Sequence, residues 1–386
     1  MRGPLAGVHL ERRIDRPRWL TVAVPLASLV VALVIGAVVL AAAGKDPSAT
    51  YDRILQRGFL ADGALSATLV AASPLLFTGL AAAVAFRMGI FNIGGEGQLV
   101  VGAIGATWAG LTVGDGPVGV TVVAMLAAGA LAGAAWAGIA AALRAWLRTN
   151  EIITTLMLNY VALNLATYLI FGSRSAWREL EGSGLMFPQG KSIPDRAEWP
   201  TFALGDVVLP LGFLVGAAVA VTLFVLLRST RFGFEVRVIG DEPRAARLAG
   251  IRTRRVTFAL LALSGAVAGL GGASDVGDTR HVLDPKALGQ AGYGYAGIVV
   301  AALARLNPLA VVLVAILMGG LANAGRALQG PDFPAGLVGT LQGLLLVCTL
   351  AGELFSRYRL RRTPGLQVDD EPPAATEAAT PAGAPS

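Results

Sequence analysis

The chain has 386 residues, 55% of them hydrophobic and 15% charged, with a net charge of +6. Soluble domains carry about 25% charged residues, and with a mean hydropathy of +0.65 a soluble fold is excluded. One cysteine (Cys348) and two histidines (His9 and His281) leave no intramolecular disulfide and no histidine- or cysteine-rich metal centre.

A spanning helix needs about 20 apolar residues. Ten segments approach that in chain order: 19–43, 64–86, 98–113, 118–147, 152–171, 207–227, 256–274, 292–304, 308–328 and 334–355. The expected fold is therefore all-α, a polytopic membrane helix bundle of about ten transmembrane segments. Residues 1–18 form a basic N-terminus, 19–355 the membrane domain, and 356–386 a tail whose Pro/Ala/Glu-rich end is expected to be disordered. The first segment follows Arg12, Arg13, Arg16 and Arg18 and ends Ala41-Ala42-Ala43. That imitates a signal peptide, but its apolar run exceeds the roughly 7–15 residues of such a segment. An uncleaved helix is expected.

Between the second and third segments the chain reads Phe86-Arg87-Met88-Gly89-Ile90-Phe91-Asn92-Ile93-Gly94-Gly95-Glu96-Gly97-Gln98. Lipid cannot satisfy irregular backbone, so such a break belongs inside protein or beside water. An intramembrane carboxylate marks a pathway or a pairing site. Two readings of Glu96, with Asn92 and Gln98, stay open: a gate or wall of a path, or a structural anchor accepting N–H groups freed by the glycines. A second polar stretch, Gly289-Gln290-Ala291-Gly292-Tyr293-Gly294-Tyr295, precedes the short segment 292–304. Short, interrupted segments in corresponding halves point to a path between repeats. The halves would be 64–171 and 256–355, entering from opposite sides as an inverted repeat.

Asn159, Tyr160 and Asn164 are polar within segment 152–171. With Tyr293 and Tyr295 they offer amides and aromatic faces to a ligand, or interhelical hydrogen bonds worth about 0.6 kcal/mol each. Asp275, Asp278, Arg280 and Asp284 read as an outer loop that is solvated or meets an extracytoplasmic protein.

The loop 228–255 holds eight arginines, and the tail holds Arg357, Arg359, Arg361 and Arg362. This bias places both termini inside. Anionic lipid head groups then account for the positive charge, and nucleic acid is not needed. Within the loop, Glu242-Pro243-Arg244-Ala245-Ala246-Arg247-Leu248-Ala249-Gly250 reads as a short helix. Pro243 suits its first turn and Gly250 its end. Its small-residue face flanked by Arg244 and Arg247 can dock in a partner's groove, or it can lie on lipid heads.

Four of these motifs, in order, resemble ABC-importer permeases of the nucleoside and ribose-type sugar group, and more distantly of the branched-chain amino acid group. They are Gly89–Gln98, the run from Asn150 to Tyr160, Gly240–Ile251 with its coupling loop, and Gly292–Ile298 with Ala301, Leu303 and Pro308. The Glu96-Gly97-Gln98 ending and the longer N-terminal part look like the larger of two paired permeases. The resemblance implies a multi-pass subunit of a prokaryotic cytoplasmic membrane that moves nucleosides, or ribose-type sugars. It implies a second permease, an extracytoplasmic substrate-binding protein, and ATPase subunits gripping Glu242, Arg244, Ala245, Ala246, Arg247 and Gly250. ATP would be used by the ATPase, and no cofactor would bind this chain. The chain has no phosphate-binding loop: before Gly190-Lys191-Ser192, position 185 is Leu where glycine is required. Two rival readings are a proton-coupled transporter with Glu96 as the proton site, and a non-transporting scaffold.

Overall fold

A computed structural model describes residues 8–12, 20–172, 177–181, 189–328 and 358–362. It also describes residues 336, 339–341, 343–345, 347–348 and 351–352. The expected last segment, 334–355, and the tail lie largely outside the described residues.

Helices dominate, because the apolar runs must satisfy their own backbone groups in lipid. In chain order they are α1 (Leu20–Ala42), α2 (Pro47–Leu55), α3 (Ala64–Phe86), α4 (Gly95–Val113), α5 (Val118–Leu147) and α6 (Glu151–Thr167). They continue with α7 (Leu211–Ser229), α8 (Arg231–Asp241), α9 (Pro243–Leu248), α10 (Thr253–Ser274), α11 (Pro285–Ala291), α12 (Tyr293–Leu303) and α13 (Pro308–Ala327). Among the described residues, six stretches are long and apolar enough to cross a membrane: 64–86, 118–147, 151–172, 211–229, 253–280 and 308–327.

Several expected boundaries move. The third segment begins at Gly95, so Glu96, Gly97 and Gln98 lie inside the first turn of α4 rather than in the break before it. The stretch 289–295 is not a loop: α11 and α12 meet at Gly292, whose φ of 58° turns the chain between them. The segment expected from 207 starts as β3 (Val207–Pro210), paired with β2 (Thr201–Leu204) across a turn at Gly205, and becomes α7 only at Leu211. Two further strands, β1 (Val8–Arg12) and β4 (Tyr358–Arg362), pair antiparallel and bring the two ends of the chain together.

The centre of the bundle is two triplets of helices that embrace each other. Ser264 of α10 donates to Ala81 O of α3 at 2.8 Å, and Gly271 lies against Phe77, so α3 and α10 run antiparallel. Each then packs on the other triplet. α10 runs along α4, through Gly102 and Gly269, and against α5, through Gly129, Gly133 and Gly265. α3 runs along α12, through Thr78 and Gly297, and against α13, through Ala72 and Gly319. This reciprocal exchange is the inverted repeat, with α3, α4 and α5 matched by α10, α12 and α13. Glycine makes the approach possible: a Cβ at Gly102 would fall 2.3 Å from Gly269 Cα. Small residues let helix backbones close in lipid, where dispersion replaces the hydrophobic drive.

Candidate functional site

The repeat sets α4 and α12 antiparallel, and their N-termini meet inside the bundle. Gly294 is pressed against Gly95 and Glu96 so closely that a Cβ would lie 2.1 Å from Glu96 N. The Glu96 carboxylate bridges the meeting point, with Oε2 accepting the Gly294 N–H at 2.6 Å. Each helix start carries roughly half a positive charge. Both ends face one buried carboxylate that sits 7% exposed. Oε1 makes no hydrogen bond with a described residue.

The break ahead of α4 is held by an amide lattice. Asn92 and Gln98 exchange reciprocal hydrogen bonds at 3.0 Å, Asn92 Oδ1 also accepts from Gly94 N, and Asn92 Nδ2 reaches Ser264 at 2.9 Å. Asn159, from α6, closes the other side. Its Oδ1 accepts from Gly97 N at 2.8 Å, and its Nδ2 donates to Ile93 O at 3.0 Å and to the Tyr295 hydroxyl at 3.3 Å. Thr78 of α3 donates to Tyr293 O at 2.9 Å. The buried Tyr293 ring lies beside the Arg280–Asp275 ion pair, which closes at 2.8 Å.

The structure thus gathers Asn92, Glu96, Gln98, Asn159, Tyr293 and Tyr295. It does not bring Tyr160 or Asn164 to them. One residue along a helix is a rotation of about 100°, so Tyr160 points out of the bundle at 61% exposed while Asn159 points in. Asn164 is also outward and donates to Tyr160 O. The outer acids differ from expectation too. α10 continues as a wider turn over Asp275–Arg280, with Asp275 fully buried on Arg280 and Asp278 accepting from Gly212 N and Ser274.

At the opposite end of α10, α9 forms as the sequence suggests. Glu242 caps it by accepting Arg244 N at 3.2 Å, Pro243 opens it, and Gly250 leaves it at a φ of 74°. Ala246 is the exception to the expected outward face. It is fully buried and anchors the helix, its carbonyl accepting Ile251 N. Arg244, Ala245 and Arg247 are exposed, and Leu248 stands out at 91%.

The model of the branched-chain amino acid transport system / permease component family matches residues 64–350, from the start of α3 to beyond the end of α13. The chain belongs to this permease family. It is 34% identical over 379 residues to the glucose ABC transporter permease protein TsgB13 of Haloferax volcanii, covering 96% of this chain and 97% of the relative. It is 33% identical to the guanosine ABC transporter permease protein NupP of Bacillus subtilis, covering 77% and 84%. It is 28% identical to the nucleoside ABC transporter permease protein NupB of Lactococcus lactis, covering 82% and 87%.

Sequence reasoning missed several residues of this permease's core. Ser264 and Thr78 were not singled out, yet each ties the centre of one triplet to the other. Arg87 read only as part of the break. Its Nε and Nη2 both donate to Leu306 O, at 3.1 and 3.0 Å, across the two halves. A cation placed at the end of an apolar run was the one available signal.

Proposed function

We propose that this permease is one of two membrane subunits of an ATP-driven importer and carries nucleosides inward across the cytoplasmic membrane. The observation that carries the reading is α9. It is a separate, capped helix fixed by one buried alanine, with the exposed Leu248 one turn along from the exposed Arg244 and next to Arg247. An exposed apolar side chain with arginines to one side suits the groove of a soluble partner with an acidic wall. The arginine bias of the same loop sets that end in the cytoplasm, where ATPase subunits work. Hydrolysis belongs to them. A binding protein delivers substrate at the other end, and a second permease faces this one.

Two of the similar permeases are named for guanosine and nucleosides. A nucleoside asks for amide or hydroxyl partners and an aromatic face. Tyr160 and Asn164 offer these outward on α6, and the half-exposed Tyr295 accepts from Asn159, also of α6. The path runs along that flank, closed by the second permease. Glu96 then holds the fold of the path, its Oε2 accepting the Gly294 N–H where α4 and α12 meet. A simple sugar is the second reading, favoured by the glucose permease that matches 96% of this chain. Uptake of labelled guanosine, adenosine, ribose and glucose by the reconstituted complex tests both. Nucleoside accumulation that requires ATP supports the first. Sugar uptake alone selects the second, and uptake unaffected by ATP rejects both.

A further inference from the structure

The α12–α13 turn is strained. Arg305 and Leu306 are consecutive non-glycine residues with φ of 51° and 61°. L-residues visit this left-handed region at a cost, and successive ones persist only where the surroundings hold them. Backbone bonds from Arg305 N to Ala302 O and from Leu306 N to Ala301 O close the turn, and Arg87 adds two N–H groups that converge on the Leu306 carbonyl from the end of α3. Arg87 is half-buried and has no carboxylate within ion-pair distance among the described residues. Its visible task is this carbonyl.

The same residue touches the cytoplasmic loop. Gly240, in the last turn of α8, sits so close that a Cβ there would lie 2.7 Å from Arg87 O and 3.1 Å from Met88 Cα. Only Glu242, which caps both helices, separates α8 from α9. On its other side Arg87 opens the break that leads to Glu96. One residue therefore meets the α8 platform, the break before α4, and the turn after α12.

We propose that Arg87 is a positioning residue that binds these three parts into one moving body, so that a displacement of α9 reaches both half-helices together. The inference rests on the importer reading. Without the Arg87 clamp, the α12–α13 turn keeps its own backbone bonds but loses its tie to the end of α3, and α12 no longer follows α8. ATP hydrolysis would continue while substrate movement lags.

The test uses the complete complex, with both permeases, ATPase and binding protein, in liposomes. Arg87→Ala and Arg87→Lys are compared with wild type for assembly, ATP hydrolysis and substrate uptake. Arg87→Ala is expected to assemble and hydrolyse ATP at the wild-type basal rate, with uptake per ATP lower by about fivefold or more, the usual scale of a coupling between sites. Arg87→Lys, which keeps the charge but not the paired N–H groups, is expected to fall between. Either variant is sufficient if the other fails to assemble. Wild-type uptake per ATP in an assembled variant overturns the inference. So does failure of both variants to assemble, which would make Arg87 a folding residue only. A wild-type complex that takes up nothing with ATP overturns the importer reading itself, a result distinct from either.

Discussion

Glu96 and Gly294, 198 residues apart, are joined by a 2.6 Å hydrogen bond from a backbone N–H to a buried carboxylate. The bond lies where the two triplets meet. It closes the contact between two half-helix starts that would otherwise point their positive ends at each other.

Replacing Glu96 with Ala leaves the Gly294 N–H buried without a partner. The expected cost is about 1–3 kcal/mol, read as a lower thermal unfolding midpoint of the detergent-solubilised protein, with uptake reduced. Glu96→Gln keeps an acceptor and the volume, and should lose less on both measures. Equal midpoints for wild type and Glu96→Ala would remove the anchoring role.

Gly294→Ala is expected to be worse than any surface change. Its Cβ meets backbone atoms of Gly95 and Glu96, which cannot step aside as a side chain can. Overpacking costs about 1–3 kcal/mol where neighbours relax, and these do not. Gly119→Ala is the control, since nothing lies within 4 Å of its Cβ position. Size-exclusion profiles and unfolding midpoints of the two variants should diverge, and matching profiles would refute the close junction.

On α9, Leu248→Glu should leave the fold intact, because an exposed side chain away from special features shifts stability by about 0.5 kcal/mol or less. Binding of the ATPase subunit should weaken by about 2 kcal/mol or more, as for a buried anchor at an interface. Co-purification measures this. Ala246→Glu should instead unfold the loop, because Ala246 is fully buried.

Asn159 and Tyr160 should separate cleanly. Asn159→Leu strips partners from Gly97 N and Ile93 O, and is expected to destabilise by about 1–3 kcal/mol. Tyr160→Leu is expected to keep the unfolding midpoint while changing the substrate concentration for half-maximal uptake. A destabilised Tyr160→Leu with unaltered uptake kinetics would place that residue in packing instead of in the path.

Asp275→Ala should destabilise by about 3–5 kcal/mol, since it leaves Arg280 half-buried without its counter-ion. Joint replacement by Asp275→Leu and Arg280→Met is expected to recover much of that loss. Thermal unfolding of the single and double variants checks it. An undisturbed single variant would show that the pair is solvated after all.

The spans 64–86 and 118–147 were legible to the residue, because lipid forces long apolar runs into complete helices. The repeat was legible from two short segments beside glycines, although the halves share little sequence. α2 and α8 were not. Both are short and mixed in polarity, so neither carries an apolar run. Asp275–Arg280 read as loop because charges end a hydropathy run, whereas here Arg280 neutralises Asp275 inside the bundle. At the site, the glycines and amides of the break were visible as a cluster. The rotation separating Asn159 from Tyr160 was a matter of helix phase that spacing alone misjudged. The partner of Arg87 is a carbonyl 219 residues away, and backbone acceptors leave no mark in a sequence.

The most direct measurement is accumulation of labelled guanosine in liposomes holding the complete complex, with ATP supplied on the side that exposes α9. ATP-dependent accumulation that stops with a non-hydrolysable analogue, and that Leu248→Glu abolishes, is the predicted result. Accumulation that proceeds without ATP under a membrane potential, or that ignores Leu248→Glu, would contradict the account.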